Sequence, residues 1–195
     1  MKHMNLPNKL TMLRILLVPV AAACFLLIPG DVGVMNPASG FGIRNLIVLI
    51  LFVLASITDY LDGQIARSRH LITSFGKFAD PIADKLLVDT LLILLVYDHQ
   101  ASVAAVLLMI ARDLIVDGLR MAAAKSGEVV SAGWAGKVKT VLQMAAIIVL
   151  LLCDWPFVYL HLPVGQLLLW CSCAASLYSG WLYFEKLKKY VLVSM

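Results

Sequence analysis

Long apolar stretches separated by short polar segments dominate this chain of 195 residues. Each stretch is close to the roughly 20 residues that an α-helix needs to cross the hydrocarbon core of a bilayer. We therefore predict an all-α integral membrane fold, a single membrane-embedded domain over residues 1–195 with six transmembrane helices. A short N-terminal interfacial segment, around residues 5–11, is expected to precede the first of them. The predicted spans are about 10–28, 43–67, 81–97, 101–123, 136–153 and 163–184.

The composition excludes an ordinary soluble globule. Hydrophobic residues make up 62% of the chain, only 14% are charged, and the mean hydropathy is +0.91. The net charge of +4 comes mostly from basic residues beside the apolar stretches, which suits anionic lipid headgroups rather than nucleic acid. The four cysteines lie in or beside apolar stretches without a CxxC pair, so we expect them to pack as small apolar residues rather than to form disulfides.

The lysines and arginines outside the apolar stretches predict the orientation, because cytoplasmic loops are enriched in them. If the N-terminus is cytoplasmic, the opposite side, made of the loops near 29–42, 98–100 and 154–162, has only Arg44 at its edge. The basic residues on the first side are Lys2, Lys9, Arg67, Arg69, Lys77, Lys125, Lys137, Lys186, Lys188 and Lys189. Both termini and the aspartates described next are therefore expected to face the cytoplasm.

Four aspartates lie near the inner ends of the second and third stretches: Asp59, Asp62, Asp80 and Asp84. One aspartate at the centre of a spanning helix costs roughly 2.5–3.5 kcal/mol, so four would cost roughly 10–14 kcal/mol without compensation. Asp59 and Asp62 share a helix face, as do Asp80 and Asp84. Pro81 suits the first turn of a helix, with Asp80 as its N-cap. A short connecting loop would then bring all four carboxylates together.

Neighbouring carboxylates are stable when they share protons or bind hard cations, and oxygen ligands of this density suit one or two Mg²⁺ or Mn²⁺ ions. Gly63 and Ala66 leave room on the same helix face for a ligand close to the backbone. Helix packing through small residues is the alternative. Arg67 is placed to bind phosphate, with an ordinary basic flank of a span as the alternative.

A second set of charges lies in and after the fourth stretch. Arg112 and Arg120 are about 80° apart around a helix, in a span where cations usually face a partner or a cavity. Lys137 and Lys139 would point to opposite faces of a helix, so at most one is expected in the same pocket. A phosphate dianion is the natural partner of this group. A structural ion-pair network and plain inner-flank charge are the alternatives.

The spacing Asp-x₂-Asp-Gly-x₂-Ala-Arg-x₈-Gly-x₃-Asp-x₃-Asp, from Asp59 to Asp84, resembles the signature of the CDP-alcohol phosphotransferases. All eight positions match, and the resemblance covers most of the chain. It implies a homodimeric membrane enzyme with six spans that moves a phosphatidyl or similar group from a CDP-linked donor to an alcohol and releases CMP. It also implies two bound divalent ions, Mg²⁺ or Mn²⁺.

The resemblance implies roles for individual residues as well. Asp84 would be the general base for the acceptor hydroxyl, while also contacting a metal ion. The implied metal ligands are Asp59, Asp62, Asp80 and Asp84. The implied contacts to the CDP donor are Asn8, Thr11, Asp62, Gly63, Ala66, Arg67 and Gly76.

Further segments narrow the acceptor alcohol. Residues 5–14, the pair Arg112-Asp113 (where Arg-Glu is usual) and residues 136–143 are similar to bacterial members that use glycerol 3-phosphate at the cytoplasmic membrane. The implied reaction joins this alcohol to CDP-diacylglycerol and gives phosphatidylglycerophosphate and CMP. The residues expected to bind the acceptor phosphate are Arg112, Arg120, Lys137 and Lys139. Open alternatives are a sister enzyme using inositol phosphate, serine or phosphatidylglycerol, a prenyl-diphosphate transferase, and a cation transporter.

Overall fold

The computed structural model describes residues 5–68, 73–125 and 133–192, and six long helices account for most of them. A short 3-10 helix, Phe157–Leu160, lies between the fifth and the sixth of these long helices. The helices are α1 Leu6–Leu27, α2 Ile43–Ser68, α3 Ser74–Tyr97, α4 Val103–Lys125, α5 Trp134–Leu151 and α6 Val164–Leu192. Each of the six predicted spans therefore corresponds to one helix.

The start of α3 differs from the sequence prediction, in which Asp80 caps a helix that begins at Pro81. The helix begins two turns earlier, and Thr73 is its N-cap, because the Thr73 hydroxyl accepts a hydrogen bond from the amide of Gly76 at 3.0 Å. Pro81 consequently lies inside the helix. These two additional turns carry Gly76 and Asp80 as helical residues, so their positions are fixed by α3 rather than by a loop.

The start of α1 also departs from the prediction, and the connection that follows α1 has structure of its own. No separate interfacial segment is seen in the described residues before the first span, because α1 runs without a break from Leu6, with Pro7 in its first turn, where a missing amide hydrogen is tolerated. The connection between α1 and α2, residues 28–42, has some regular structure. It contains a small antiparallel hairpin, in which β1 (Val34–Asn36) pairs with β2 (Phe41–Gly42).

The helices pack mainly in four pairs: α1 with α2, α1 with α3, α4 with α6, and α5 with α6. The main apolar core includes Phe25 on α1, Phe52 on α2, Leu91 on α3, Met109 on α4 and Ile147 on α5, each no more than 2% exposed. All six helices contribute to this core, which also includes Leu169 and Cys173 of α6.

Four of the helices are long and apolar enough to cross a membrane by length and composition: Leu6–Leu27, Ile43–Ile65, Trp134–Leu151 and Val164–Lys188. The predicted third and fourth spans, α3 and α4, have 24 and 23 residues, enough for the same thickness. They differ in carrying several charged side chains.

Candidate active site

A buried arginine near the middle of α1 joins two of the four aspartates. Arg14 is 0% exposed, and its guanidinium forms ion pairs with Asp59 and Asp62, both on α2. The Nη2–Oδ2 distance to Asp62 is 2.6 Å, and only 4% of the Asp62 side chain is exposed, against 40% for Asp59. The two carboxylates predicted to share a helix face therefore do so, and a protein cation lies against both.

Thr11, one turn before Arg14 on the same face of α1, connects this pair to α3. Its hydroxyl donates to Asp80 Oδ1 at 2.7 Å, and the hydroxyl oxygen also lies 3.5 Å from Asp62 Oδ2. Residues three apart on a helix are neighbours, so Thr11 and Arg14 act as one polar patch. Through this patch, α1 brings Asp59, Asp62 and Asp80 from two other helices into one acidic cluster.

The beginning of α3 adds a second contact to α1. The Thr73 hydroxyl donates to Asn8 Oδ1 at 2.9 Å while it caps the helix. A methyl group on Gly76 would lie 3.3 Å from both Asn8 Oδ1 and Thr73 Oγ1 and 3.7 Å from Asp80 Oδ2. Gly76 therefore keeps the backbone of α3 close to the polar face of α1, directly beside the acidic cluster.

A cavity of about 230 Å³ lies next to this cluster, between α3, α4, α5 and α6. Its charged lining residues are Asp84, Lys85, Asp89, Arg112, Asp113, Asp117, Arg120 and Lys139. The charges of α3 and α4 thus face an internal polar cavity, which is where ionisable residues of membrane helices are usually found.

Ion pairs and hydrogen bonds hold the cations of this cavity in place. Asp113 accepts from Arg112 Nη1 at 2.7 Å and also pairs with Lys139, while Lys85 pairs with Asp117. Lys139 is 8% exposed. Because Asp113 is shared by two cations, the group formed by Arg112, Arg120, Lys139 and Asp113 carries more positive than negative charge, although the eight charged side chains of the whole lining balance.

Asp84 lies on the cavity wall at the side of the acidic cluster. Its carboxylate interacts electrostatically with Asp59 and Arg14 on one side and with Lys139 on the other. It is one helical turn after Asp80, so α3 presents one aspartate to each region. Asp84 therefore adjoins both the acidic cluster and the cavity.

The structure brings together most of the residues singled out from the sequence. Asn8, Thr11, Asp59, Asp62, Gly76 and Asp80 form one region, and Asp84, Arg112, Arg120 and Lys139 line the other. Gly63 is half-buried next to Asp62, whereas Lys137 is exposed and is not among the cavity-lining residues. The predictions for Ala66 and Arg67 concern side chains that lie outside the described residues.

Sequence reasoning assigned no role to Arg14, Lys85 or the polar residues of α6. Arg14 carried a usable signal, since it is a charged residue within an apolar run and three residues after Thr11. Lys85 could have been suspected because it directly follows Asp84 inside a predicted span. The α6 residues carried no comparable signal, because serine, glycine and tyrosine are ordinary in membrane helices.

The acidic cluster has the donor chemistry that hard divalent cations require, namely carboxylates and a hydroxyl on three helices. Among the described residues, however, no three acidic, histidine or cysteine side chains are placed to hold one ion. Arg14 and Thr11 lie between the carboxylates, which accounts in part for the separation of the carboxylate oxygens. The oxygens therefore fit Mg²⁺ or Mn²⁺ by type, and closing them around an ion requires movement at the Arg14 and Thr11 contacts.

Known proteins match this chain over nearly its whole length. The sequence profile of the CDP-alcohol phosphatidyltransferase family matches residues 4–178. A CDP-diacylglycerol–glycerol-3-phosphate 3-phosphatidyltransferase of Bacillus subtilis (strain 168) is 43% identical over 183 residues, which cover 93% of this chain and 94% of the relative. The protein of the same name from Rickettsia felis is 39% identical over 95% of this chain and 97% of its own. The chain therefore belongs to the CDP-alcohol phosphatidyltransferase family.

Proposed function

We propose that this protein transfers a phosphatidyl group from CDP-diacylglycerol to sn-glycerol 3-phosphate, giving phosphatidylglycerophosphate and CMP in phospholipid biosynthesis. The names of the similar proteins at 38–43% identity support this enzyme activity. The structural observation that carries it is the position of Asp84, between an acidic cluster and a cavity lined by Arg112, Arg120 and Lys139. A donor pyrophosphate and an acceptor phosphate need two such regions side by side, with a proton acceptor where they meet.

The donor would bind at the acidic cluster. Asp59, Asp62, Asp80 and Asp84 would hold divalent ions, Mg²⁺ or Mn²⁺, which when bound neutralise charge on the donor pyrophosphate and on departing CMP. Asn8, Thr11, Gly63 and Gly76 lie at or beside this cluster, and with Ala66 and Arg67 they are proposed to contact the CDP group. The small residues allow close approach to the backbone.

The acceptor would bind in the cavity. Arg112, Arg120 and Lys139 supply the charge-assisted hydrogen bonds that a phosphate dianion requires. Glycerol 3-phosphate is small enough for a cavity of about 230 Å³. Lys137 is exposed, so its contribution is limited to attraction from outside the cavity. With the phosphate held by these cations, the terminal hydroxyl at the other end of the three-carbon acceptor would reach toward Asp84.

The chemical step is a substitution at phosphorus. The acceptor hydroxyl oxygen attacks the phosphorus that carries the diacylglycerol, the bond from that phosphorus to the bridging oxygen breaks, and CMP leaves with that oxygen. Asp84 takes the hydroxyl proton as the new bond forms and later releases it to solvent. The residues around it bind, orient and screen charge, so most of the rate gain comes from positioning and electrostatics.

The proposed setting is the cytoplasmic membrane of a bacterium, with the site and both termini facing the cytoplasm and the protein acting as a homodimer. The acidic cluster and the cavity lie at the end of the bundle where α2 ends, α3 begins and the basic residues concentrate, which supports this orientation. A substrate with acyl chains can then reach the cluster from within the bilayer.

The test is release of CMP from CDP-diacylglycerol by purified protein with Mg²⁺ or Mn²⁺, measured with and without glycerol 3-phosphate. Release that requires this acceptor supports the proposal. Release only with serine, inositol phosphate or phosphatidylglycerol would assign the chain to a sister enzyme. A protein that releases no CMP with any alcohol but moves divalent cations across vesicles would be a transporter instead.

A further inference from the structure

One face of α6 supports the two arginines of the cavity. This face carries Ser176, then Ser179 and Gly180 one turn later, and Tyr183 after a further turn. Helix α4 packs against α6. Ser179 and Tyr183 are 1% and 5% exposed. No role follows for these residues from the signature or from the charged groups.

Arg112 crosses α6 at Gly180. A methyl group on Gly180 would place its carbon 2.9 Å from Arg112 Cγ and 3.0 Å from Arg112 Nε. A Cβ atom within 3 Å of another heavy atom is essentially never found, so a methyl group at position 180 would require Arg112 or its surroundings to shift. The absence of a side chain at position 180 therefore leaves room for the path that Arg112 takes.

The guanidinium of Arg112 is then fixed at two points. Nη2 donates to Ser179 Oγ at 2.8 Å, and Nη1 donates to Asp113 Oδ1 at 2.7 Å. One contact comes from α6 and the other from α4, so the plane of the group is set by both helices. This is the preorganisation that bidentate recognition of a phosphate requires.

Tyr183 holds the second arginine, one turn further along the same face. Its hydroxyl accepts from Arg120 Nη2 at 2.7 Å and from the amide of Gly133 at 3.0 Å, and Arg120 Cζ lies 4.6 Å from the centre of its ring. Tyr183 thus links α6 to α4 and to the residue that precedes α5. Both arginines are positioned from α6.

We propose that α6 is the positioning element of the acceptor site, with Gly180 and Ser179 as positioning residues that act through Arg112. This inference rests on the proposed function, because it takes the cavity to bind the acceptor phosphate. The competing interpretation is that Gly180 only allows close helix packing. Both interpretations allow a methyl group at position 180 to lower stability. They differ in whether it also weakens the affinity for one substrate, and in whether its cost depends on Arg112.

The experiment compares Gly180→Ala with Gly118→Ala as a matched control. Gly118 is also a helical glycine, on α4, and a methyl group there would meet nothing within 4 Å. Initial rates are measured against glycerol 3-phosphate at saturating CDP-diacylglycerol, and then the reverse. For Gly180→Ala we expect KM for glycerol 3-phosphate to rise roughly 10- to 100-fold, since displacing a positioning contact by about 1 Å can cost about 10²-fold. KM for CDP-diacylglycerol should stay the same, and Gly118→Ala should change neither constant.

Ser179→Ala provides a milder variant if Gly180→Ala does not fold, and it should raise KM for glycerol 3-phosphate alone. Equal changes in both KM values, a change in kcat alone, or no change would overturn the inference. Arg112→Ala separates it from the proposed function. If Arg112→Ala raises KM for glycerol 3-phosphate and the α6 variants do not, only the positioning role fails; if Arg112→Ala leaves that KM unchanged, the acceptor site itself fails.

Thermal melting adds a readout that does not depend on catalysis. Truncating Arg112 removes the atoms that a methyl group at position 180 would meet. Gly180→Ala should therefore lower Tm in the wild-type background and have little effect in the Arg112→Ala background. An equal drop in Tm in both backgrounds would favour simple helix packing and overturn the inference.

Discussion

Replacing Arg14 with methionine tests whether this residue is the counter-charge of the acidic cluster. Methionine retains the apolar length of the side chain and removes the guanidinium that pairs with Asp59 and Asp62. The Arg14–Asp62 pair is buried on both sides, with 0% and 4% of the two side chains exposed. The substitution therefore leaves a buried carboxylate without its cation.

The size of the effect follows from this burial. Removing one partner of a buried ion pair costs about 3–5 kcal/mol, because the remaining charge is uncompensated. Asp59 is 40% exposed, so loss of its contact adds at most about 1 kcal/mol. Together the two losses come to about 3–6 kcal/mol of unfolding free energy, which for a chain of about this length lowers Tm by roughly 6–24 °C. Thermal melting of the purified protein without divalent ions is the assay.

The double variant Arg14→Met/Asp62→Asn is the control for the reasoning. Asparagine is neutral and keeps an oxygen near Thr11, so the double variant should recover part of the stability lost in Arg14→Met. If the unfolding free energy of Arg14→Met lies within about 1 kcal/mol of the wild-type value, the ion pair contributes little and Arg14 is not the counter-charge of the cluster. The same conclusion follows if the double variant is no more stable than Arg14→Met, because Asp62 would then not have been left as an unpaired charge.

Three further predictions concern residues on either side of this cluster. Asp84→Asn should lower the rate of CMP release by about 10²-fold or more while Tm stays near the wild type, as expected for loss of a general base; near-normal turnover would remove Asp84 from that role. Thr73→Ala should cost about 1 kcal/mol of unfolding free energy, because Gly76 loses its capping acceptor; an unchanged Tm would show that the cap contributes nothing. Lys139→Met should raise KM for glycerol 3-phosphate roughly tenfold or more, and by more than Lys137→Met, because Lys139 lines the cavity and Lys137 is exposed; equal effects would contradict this placement.

The helices and the membrane character could be predicted because apolar periodicity and length determine them directly. The start of α3 could not, since Asp80-Pro81 is a good helix start in isolation. The competing start at Thr73 is favoured by its cap and by the contact between Thr73 and Asn8 on another helix. Tertiary contacts thus decided between two local signals of similar strength.

The candidate site likewise contains some residues that the sequence could identify and others that it could not. Asp59, Asp62, Asp80 and Asp84 could be selected from the sequence because acidic residues are rare in apolar chains and their spacing matches a known signature. The role of Arg14 depends on α1 packing against α2, and that of Gly180 on the path of Arg112 across α6. Neither relation is encoded in local spacing, so only the three-dimensional structure reveals them.

We infer that the cavity, through Arg112, Arg120 and Lys139, selects a phosphorylated alcohol as the acceptor of the phosphatidyl group. The most direct measurement offers the purified protein CDP-diacylglycerol together with equal concentrations of glycerol 3-phosphate, serine, inositol phosphate and phosphatidylglycerol, and identifies the lipid product by mass spectrometry. We predict phosphatidylglycerophosphate as the main product, with its yield lost in Arg112→Ala. A main product derived from serine or phosphatidylglycerol would contradict the account.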